Sequence, residues 1–284
     1  MARLRRSILF VPGSSEKMLQ KARQLTIVDC VVLDLEDGVA AGEKERARAR
    51  VTEALATSWG RIEVGVRING LDTGLAVDDL RAVIPAGPDF IFVPKVERRR
   101  EVFFIEGAAR ALARSRVPDL ILTFETAKGV LGAERLANAS PLVSALAFGA
   151  ADFAKDTGAQ APADLDGMDG ARLQVAMAAA TARIAALDGA FYQGIDDLGA
   201  MEAQARRAAL MGYAGKLVIH PSHIAIANKV FSPSPEVIAD ALAMVAAFEA
   251  ASGAGQGAFR YKGRMVDIPM IDQARKLIAL ADSL

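Results

Sequence analysis

Short apolar runs of strand length recur along this chain, and most stop abruptly at a polar or conformationally special residue. Ser7 to Val11 ends in Pro12-Gly13-Ser14-Ser15. Cys30-Val-Val-Leu-Asp-Leu is followed by Glu36-Asp37-Gly38, and Glu63 to Asn69, which carries Arg67, by Gly70. Phe90 to Pro94 ends in Lys95, Leu120 to Phe124 in Glu125, and Val143 to Phe148 runs through Gly149-Ala-Ala into Asp152. A weaker run at Ala190-Phe-Tyr-Gln and a last one, Lys216 to His220, bring the predicted strands to eight. Runs this short and this apolar, bounded by turn residues, fit strands buried on both faces.

Between the runs the apolar spacing turns helical. Helices are predicted over Glu16 to Leu25 behind a Ser cap, Glu43 to Ala56, Leu75 to Val83, Glu101 to Ser115, Val130 to Asn138, Leu173 to Leu187 and Met201 to Met211. Alternating strands and helices place the chain in the α/β class and predict a (β/α)8 TIM barrel over residues 1–232, with an open doubly wound sheet as the rival. The first strand-to-helix turn carries no G-x-G-x-x-G, and no G-x-x-x-x-G-K-[ST] occurs, so dinucleotide and P-loop sites lose their main support. The polar, Gly- and Asp-rich segment between Asp152 and Arg172 is longer than most connections and is a candidate lid.

Residues 233–284 are surplus to a barrel and predict a C-terminal helical extension or lid. It comprises Pro233-Ser-Pro, a helix from Glu236 to Ala251, a Gly-rich stretch from Ser252, and Arg264-Met-Val-Asp267 ahead of a helical run from Met270 to Leu280. The Gly-rich stretch predicts a hinge that lets the piece carrying Asp267 close over a site. Asp267 also stands where a helix N-cap is expected.

Composition narrows the function. Lys plus Arg equals Asp plus Glu at 34 each, which gives no basic excess for nucleic acid and points to a small ligand. The single cysteine, Cys30, lies in an apolar run, which suits a structural role and a reducing compartment. The apolar run near the start stops at Pro12, too early for a signal peptide, and no stretch reads as long enough to span a membrane, so the expectation is a cytoplasmic protein.

The chemistry gathers at the strand ends. Parallel strands joined by helices point the same way, so Glu125 and Asp152 are expected on one rim, close enough to share a divalent ion. Their plainer role is to favour the positive ends of the following helices. Zinc is disfavoured, because His220 and His223 are the chain's two histidines and have no Cys partners nearby. Two carboxylates with open positions suit Mg²⁺, with remaining ligands from water and an oxygen-rich substrate such as a 2-oxo acid. Arg67 is suited to grip a carboxylate or a developing oxyanion, oriented by Glu36 or Asp37. Lys95 is expected to carry plain charge rather than form a Schiff base.

Ordered motifs then carry a resemblance: Arg6-Ser-Ile-Leu-Phe-Val-Pro-Gly13, Leu33-Asp-Leu-Glu-Asp-Gly38, Val66-Arg-Ile-Asn69, Phe92-Val-Pro-Lys95, Glu125-Thr-Ala-Lys-Gly129, Phe148-Gly-Ala-Ala-Asp152, Gly215-Lys-Leu-Val-Ile-His-Pro221 and Gly263-Arg-Met-Val-Asp267. Along almost its whole length the chain resembles the citrate lyase β-subunit-like enzymes of the HpcH/HpaI aldolase group, which include malyl-CoA and citramalyl-CoA lyases. The resemblance implies a Mg²⁺-dependent barrel, with Mn²⁺ as a substitute, that reversibly cleaves a 3-hydroxyacyl-CoA thioester into a 2-oxo acid and acetyl- or propionyl-CoA. Glu125 and Asp152 would be metal ligands, with Glu125 also at the substrate. Arg67 would bind and polarise the oxo acid, Asp267 would be the acid/base, and Glu36, Asp37 and Lys95 would support them. A homotrimer or hexamer is implied, with Asp267 reaching across a subunit boundary. The family's usual Asp ahead of Asp197 is replaced around Gly194. Two rivals share these residues: a citrate lyase β subunit that takes its thioester from an acyl carrier protein, and a metabolite-binding barrel without catalysis.

Overall fold

The computed structural model describes residues 4–160, 166–253 and 259–282. These residues form two compact units, Arg5–Asn228 and a second built from Lys229 onward together with Leu4. In the first unit eight parallel strands close a barrel: β1 (Ser7–Pro12), β2 (Cys30–Asp34), β3 (Glu63–Arg67), β4 (Phe90–Val93), β5 (Asp119–Phe124), β6 (Val143–Phe148), β7 (Ala185–Asp188) and β8 (Gly215–Val218). Each pairs with the next, and β8 returns to β1 with Ser7 opposite Lys216. The expected (β/α)8 barrel is therefore the observed fold. Its helices are α1 (Glu16–Ala22), α2 (Lys44–Leu55), α3 (Ala76–Val83), α4 (Arg99–Leu112), α5 (Ala127–Leu131), α6 (Ala133–Ala137), α7 (Ala150–Thr157), α8 (Asp169–Ala182), α9 (Leu198–Leu210) and α10 (Ile224–Val230). Ser15 caps α1, its side chain accepting from the Met18 N–H.

Strand parity decides what fills the barrel. Alternate residues point to opposite faces, and Ile8, Cys30, Val32, Phe90, Phe92, Ile121, Ala145, Ala147, Leu187 and Leu217 pack as one buried cluster. Large and small residues complement each other across it. Gly65 leaves the room that the Phe90 ring takes, since a Cβ there would lie 2.2 Å from Cε2 of that ring. Below this layer Arg5 stops the barrel's N-terminal mouth. Its guanidinium reaches Glu63 through two bonds of 2.8 and 2.7 Å and Ser144 at 2.8 Å, and lies over Phe90. Cys30 is fully buried there with Sγ 3.3 Å from Glu63, and burial pushes its thiol pKa well up, as suits a structural cysteine.

Several boundaries differ from the sequence reading. The seventh strand is Ala185–Asp188, five residues before the run at Ala190, and α8 ends at Ala182 where a helix to Leu187 was predicted. Ala-Ala-Leu-Asp lacks β-branched residues and reads as helix; burial in the sheet overrides that propensity. Gly132 divides the helix predicted from Val130 to Asn138 into α5 and α6. The described part of the candidate lid after Asp152 includes the rest of α7 and the start of α8, and its middle, residues 161–165, lies outside the described residues.

In the second unit α11 (Pro235–Gly253) packs on α12 (Ile268–Ala281), with a hairpin of β9 (Phe259–Tyr261) and β10 (Arg264–Val266) between them in sequence. Ala241, Met244, Val266, Ile271 and Ala274 form its buried core. The hairpin turns at Lys262 and Gly263, both with positive φ, 46° and 81°, as a tight two-residue turn requires. Of the Gly-rich stretch expected to act as a hinge, Ser252 and Gly253 belong to the end of α11, and the rest lies within residues 254–258, outside the described residues. One expectation is corrected: the stretch Pro221–Ala251, helical in α10 and α11 with residues 231–234 between them, is long and apolar enough to cross a membrane by length and composition alone. Alanines carry that apolarity between Glu236, Asp240 and Glu249, so no conspicuous apolar run marks it, and α11 spends Ala241 and Met244 on the core of its own unit.

Candidate active site

The column of inward residues on β3 runs Glu63, Gly65, Arg67, so the arginine emerges at the C-terminal rim of the lumen. On β2 the same parity gives Cys30, Val32, Asp34 and then Glu36 just past the strand. Asp34 is the register partner of Arg67, and the two form a bidentate pair, Nε to Oδ1 and Nη2 to Oδ2, both at 2.7 Å. Each Asp34 oxygen accepts a second bond, Oδ1 from the Glu36 N–H and Oδ2 from the Gly38 N–H, both at 2.9 Å. Glu36 Oε2 adds an ion contact at 3.0 Å to Arg67 Nη1, and the guanidinium rests 4.8 Å from the centre of the Phe10 ring. Burial would lower the Arg67 pKa, but the Asp34 hydrogen bonds and the charges of Asp34, Glu36 and Asp37 outweigh it and hold the group firmly protonated. Arg67 is thus oriented by Asp34 and Glu36, whereas Asp37 is exposed and adds charge at the cavity wall.

Glu125 follows β5 and is buried; Asp152 sits four residues past the end of β6, in the first turn of α7 and partly exposed. Lys95 joins them. Its backbone N–H donates to Glu125 Oε1 at 2.8 Å, and its ammonium lies 3.4 Å from Glu36 and 3.5 Å from Asp152. These bonds hold Lys95 at a φ of 51°, a left-handed conformation unfavourable for a residue with a Cβ. Gly149 makes the space for Glu125, since a Cβ there would stand 2.5 Å from Oε2. Burial, then the negative charges of Glu36 and Asp152, push the Glu125 pKa up to about 8.

This donor set fits a hard divalent cation. A buried carboxylate crowded by other acids gains most from a doubly charged ion, and every offered atom is oxygen. Among the described residues no group of three or more His, Cys, Asp or Glu side chains is arranged to hold a metal ion. Two carboxylates would therefore leave positions for water and ligand, the coordination Mg²⁺ prefers. His220 is exposed and bonds Ser222 at 2.7 Å, while the buried His223 is 2.8 Å from the Ile195 carbonyl oxygen, so neither joins the acids.

Arg67, Asp34, Asp37, Glu125 and Asp152 line one cavity of about 780 Å³ at the strand C-termini, the functional face of such barrels. The cavity continues along α1 past Lys17, Met18, Lys21 and Leu25, and Ile219 and Pro221 also line it. Asp267 belongs to the other unit, where it is exposed and caps α12, its side chain accepting from the Met270 N–H at 3.5 Å.

Comparison with known proteins shows what kind of barrel this is. Residues 6–221 match the family model described as HpcH/HpaI aldolase/citrate lyase. The chain belongs to that family. An L-malyl-CoA/beta-methylmalyl-CoA lyase of Cereibacter sphaeroides is 37% identical over 306 residues, covering 99% of this chain and 96% of the relative. A mitochondrial citramalyl-CoA lyase of Mus musculus is 37% identical over 297 residues, covering 99% and 87%. Among solved structures, the protein CitE of Mycobacterium tuberculosis, in complex with magnesium, acetoacetate and coenzyme A, is 31% identical with a TM-score of 0.78, covering 97% of each chain. A citrate lyase of Burkholderia xenovorans gives a TM-score of 0.87 at 26% identity, covering 99% and 92%. This member of the HpcH/HpaI family is a carbon–carbon lyase.

Two features of this family member escaped the sequence reading. Asp34 was read as part of an apolar strand, although counting by twos from Cys30 puts it inward beside Arg67. The second is a buried polar cluster behind β7 and β8. Lys216 Nζ bonds Asp188, the Gly189 carbonyl and Gln204, all at 2.6 Å, and Arg172 bonds Asp188 at 3.0 Å. Lys216, Asp188 and Arg172 are all fully buried. Burial lowers the Lys216 pKa, with Asp188 opposing it. The cluster anchors Gly189 at the head of the segment through which Ala190 and Tyr192 reach the cavity wall.

Proposed function

We propose that the chain is a Mg²⁺-dependent CoA-thioester lyase that reversibly cleaves a 3-hydroxyacyl-CoA of the malyl, citramalyl or citryl type into a 2-oxo acid and acetyl- or propionyl-CoA. The observation that carries this reading is the meeting in one cavity of Arg67, fixed by Asp34 and Glu36, with the carboxylates Glu125 and Asp152. Glu125 and Asp152 would hold the ion, which when bound supplies Lewis-acid stabilisation of charge on the oxo-acid side. Mn²⁺ can take its place.

Cleavage turns the hydroxyl-bearing carbon into a ketone and leaves an electron pair on the thioester's α-carbon. Overall one proton leaves the hydroxyl and one reaches that carbon. Arg67 aims a fixed, always charged guanidinium into the site, where it binds the oxo-acid oxygens and stabilises the charge they carry as the bond breaks. Because Asp34 and Glu36 hold it before substrate arrives, little reorganisation is needed during reaction. Lys95 offsets the acidic excess around Glu36 and Asp152. Asp267 delivers the proton to carbon in cleavage and removes it in condensation. In the same reading the chain assembles as a homotrimer or hexamer, Asp267 serves a neighbouring subunit's site, and the enzyme works in the cytoplasm.

The thioester arm is expected along α1, where Met18 and Leu25 offer apolar contact to a pantetheine chain and Lys17 and Lys21 offer charge to phosphates. The test is to incubate the purified chain alone with malyl-, citramalyl- and citryl-CoA in Mg²⁺ and identify the oxo acid released. Turnover without a partner supports the free-standing lyase. Turnover only when the acyl group is carried on acyl carrier protein would replace it with the citrate lyase β-subunit reading.

A further inference from the structure

We propose that the Thr123 hydroxyl is a substrate-contacting group that donates a hydrogen bond to a carboxylate oxygen of the 2-oxo acid at the floor of the cavity. On β5 the inward column runs Ile121, Thr123 and then Glu125, so the hydroxyl lies deeper than the Glu125 carboxylate, by about 7 Å of strand rise. Thr123 lines the same cavity as Arg67 and Glu125, is only 3% exposed, and its Oγ1 has no hydrogen-bond partner among the described residues. Its strand neighbours cannot supply one easily, because β5 is paired on both sides, to β4 and β6.

A buried hydroxyl without a partner is destabilising, and valine would fill the same shape without that cost. The polar atom is explained if a ligand satisfies it. Among the other side chains from the barrel interior that line the cavity, Phe10, Phe92 and Leu217 have no hydrogen to donate. Opposite Thr123 in register stands Ala147, which leaves room above the floor. The bulky thioester carrier must leave through the open side of the cavity, so the end of the substrate that points inward is the oxo acid. Its carboxylate has two oxygens. A charged acceptor at this depth needs a donor from below as well as Arg67 from the side, and a hydroxyl hydrogen bond to a charged group is among the stronger ones.

The inference rests on the lyase reading above and is tested with Thr123→Val and Thr123→Ser in the full chain. Calorimetric titration with pyruvate, glyoxylate and oxaloacetate in Mg²⁺ reads oxo-acid affinity, and condensation kinetics read KM for acetyl-CoA. Thr123→Val should weaken all three oxo acids by about tenfold or more, the scale of a lost hydrogen bond to a charged group. KM for acetyl-CoA should stay unchanged, Thr123→Ser should retain most of the affinity, and ligand-free Thr123→Val should melt at or above the wild-type temperature. Unchanged affinity in Thr123→Val, a loss confined to one oxo acid, or a lower melting temperature without ligand overturns the inference while leaving the lyase standing. A wild-type chain that binds none of the three overturns both.

Discussion

Asp34→Asn is the sharpest perturbation available at the site, because it keeps the side-chain shape and changes only what the atoms can accept. Each Asp34 oxygen takes one bond from Arg67 and one from a backbone N–H, Oδ1 from Glu36 and Oδ2 from Gly38. An amide offers one oxygen and one NH₂ group, so in either orientation the NH₂ faces two donors and both bonds are lost. Both lost bonds have the charged carboxylate as acceptor in the wild type, so each is worth about 1.5–3 kcal/mol. Arg67 keeps Glu36 and is 17% exposed at its side chain, which places the loss near the low end of the ~3–5 kcal/mol seen when a buried pair is broken. A stability loss of about 3 kcal/mol is expected from urea denaturation followed by circular dichroism. Because the guanidinium is no longer fixed, kcat/KM should fall on the order of 10²-fold, equivalent to ~2.7 kcal/mol of transition-state stabilisation. The assay is thioester cleavage in saturating Mg²⁺. A variant as stable as wild type, with kcat/KM within about threefold of it, would refute the claim that Asp34 sets the position of Arg67.

Removing divalent ions with a chelator should abolish turnover and adding Mg²⁺ should restore it, with Mn²⁺ as a substitute; full activity in a verified metal-free sample would end the assignment of Glu125 and Asp152. Gly149→Ala should displace Glu125, whose Oε2 would be 2.5 Å from the new Cβ, and so raise the Mg²⁺ concentration needed for half-maximal activity; an unchanged Mg²⁺ titration would count against the two groups sharing that space. Asp267→Asn should fold normally, because Asn caps a helix about as well as Asp, yet lose about 10²-fold or more in turnover as a lost acid/base does. Co-assembling inactive Asp267→Asn with inactive Arg67→Ala chains should restore partial activity if sites are shared between subunits, and absence of rescue would assign both residues to one chain.

Much of this was legible in the sequence because buried parallel strands advertise themselves and their ends carry the chemistry. Arg67, Lys95 and Glu125 stand where the apolar runs predicted. What escaped was information carried by parity and burial rather than by apolarity. Asp34 looks like an interruption in an apolar strand until the inward column from Cys30 is counted. β7 was misplaced because alanines and a leucine have no strand signature, and its identity comes from pairing with β6 and β8. Asp152 lies beyond the apolar run by the spacing Gly149-Ala-Ala, and no periodicity marks that these residues already open a helix, which puts it in the first turn of α7. The short strands β9 and β10 were missed because three-residue strands carry too little pattern to register.

The closure of the barrel, Ser7 against Lys216, also sets when this protein can be finished as it is made. The first strand to leave the ribosome pairs on one side with β2 but must wait for β8 on the other. At roughly 5–20 residues per second that wait is about 10–40 s. Throughout it the nascent chain presents an open edge of Ser7, Ile8 and Leu9, all deeply buried in the finished enzyme. Gly215 belongs to the same seam: its Cβ position would fall 1.9 Å from the Arg5 carbonyl oxygen, so the last strand can seat only where the two backbones touch. Any larger residue at 215 would prolong the vulnerable interval as well as weaken the seam, with aggregation during synthesis the first symptom.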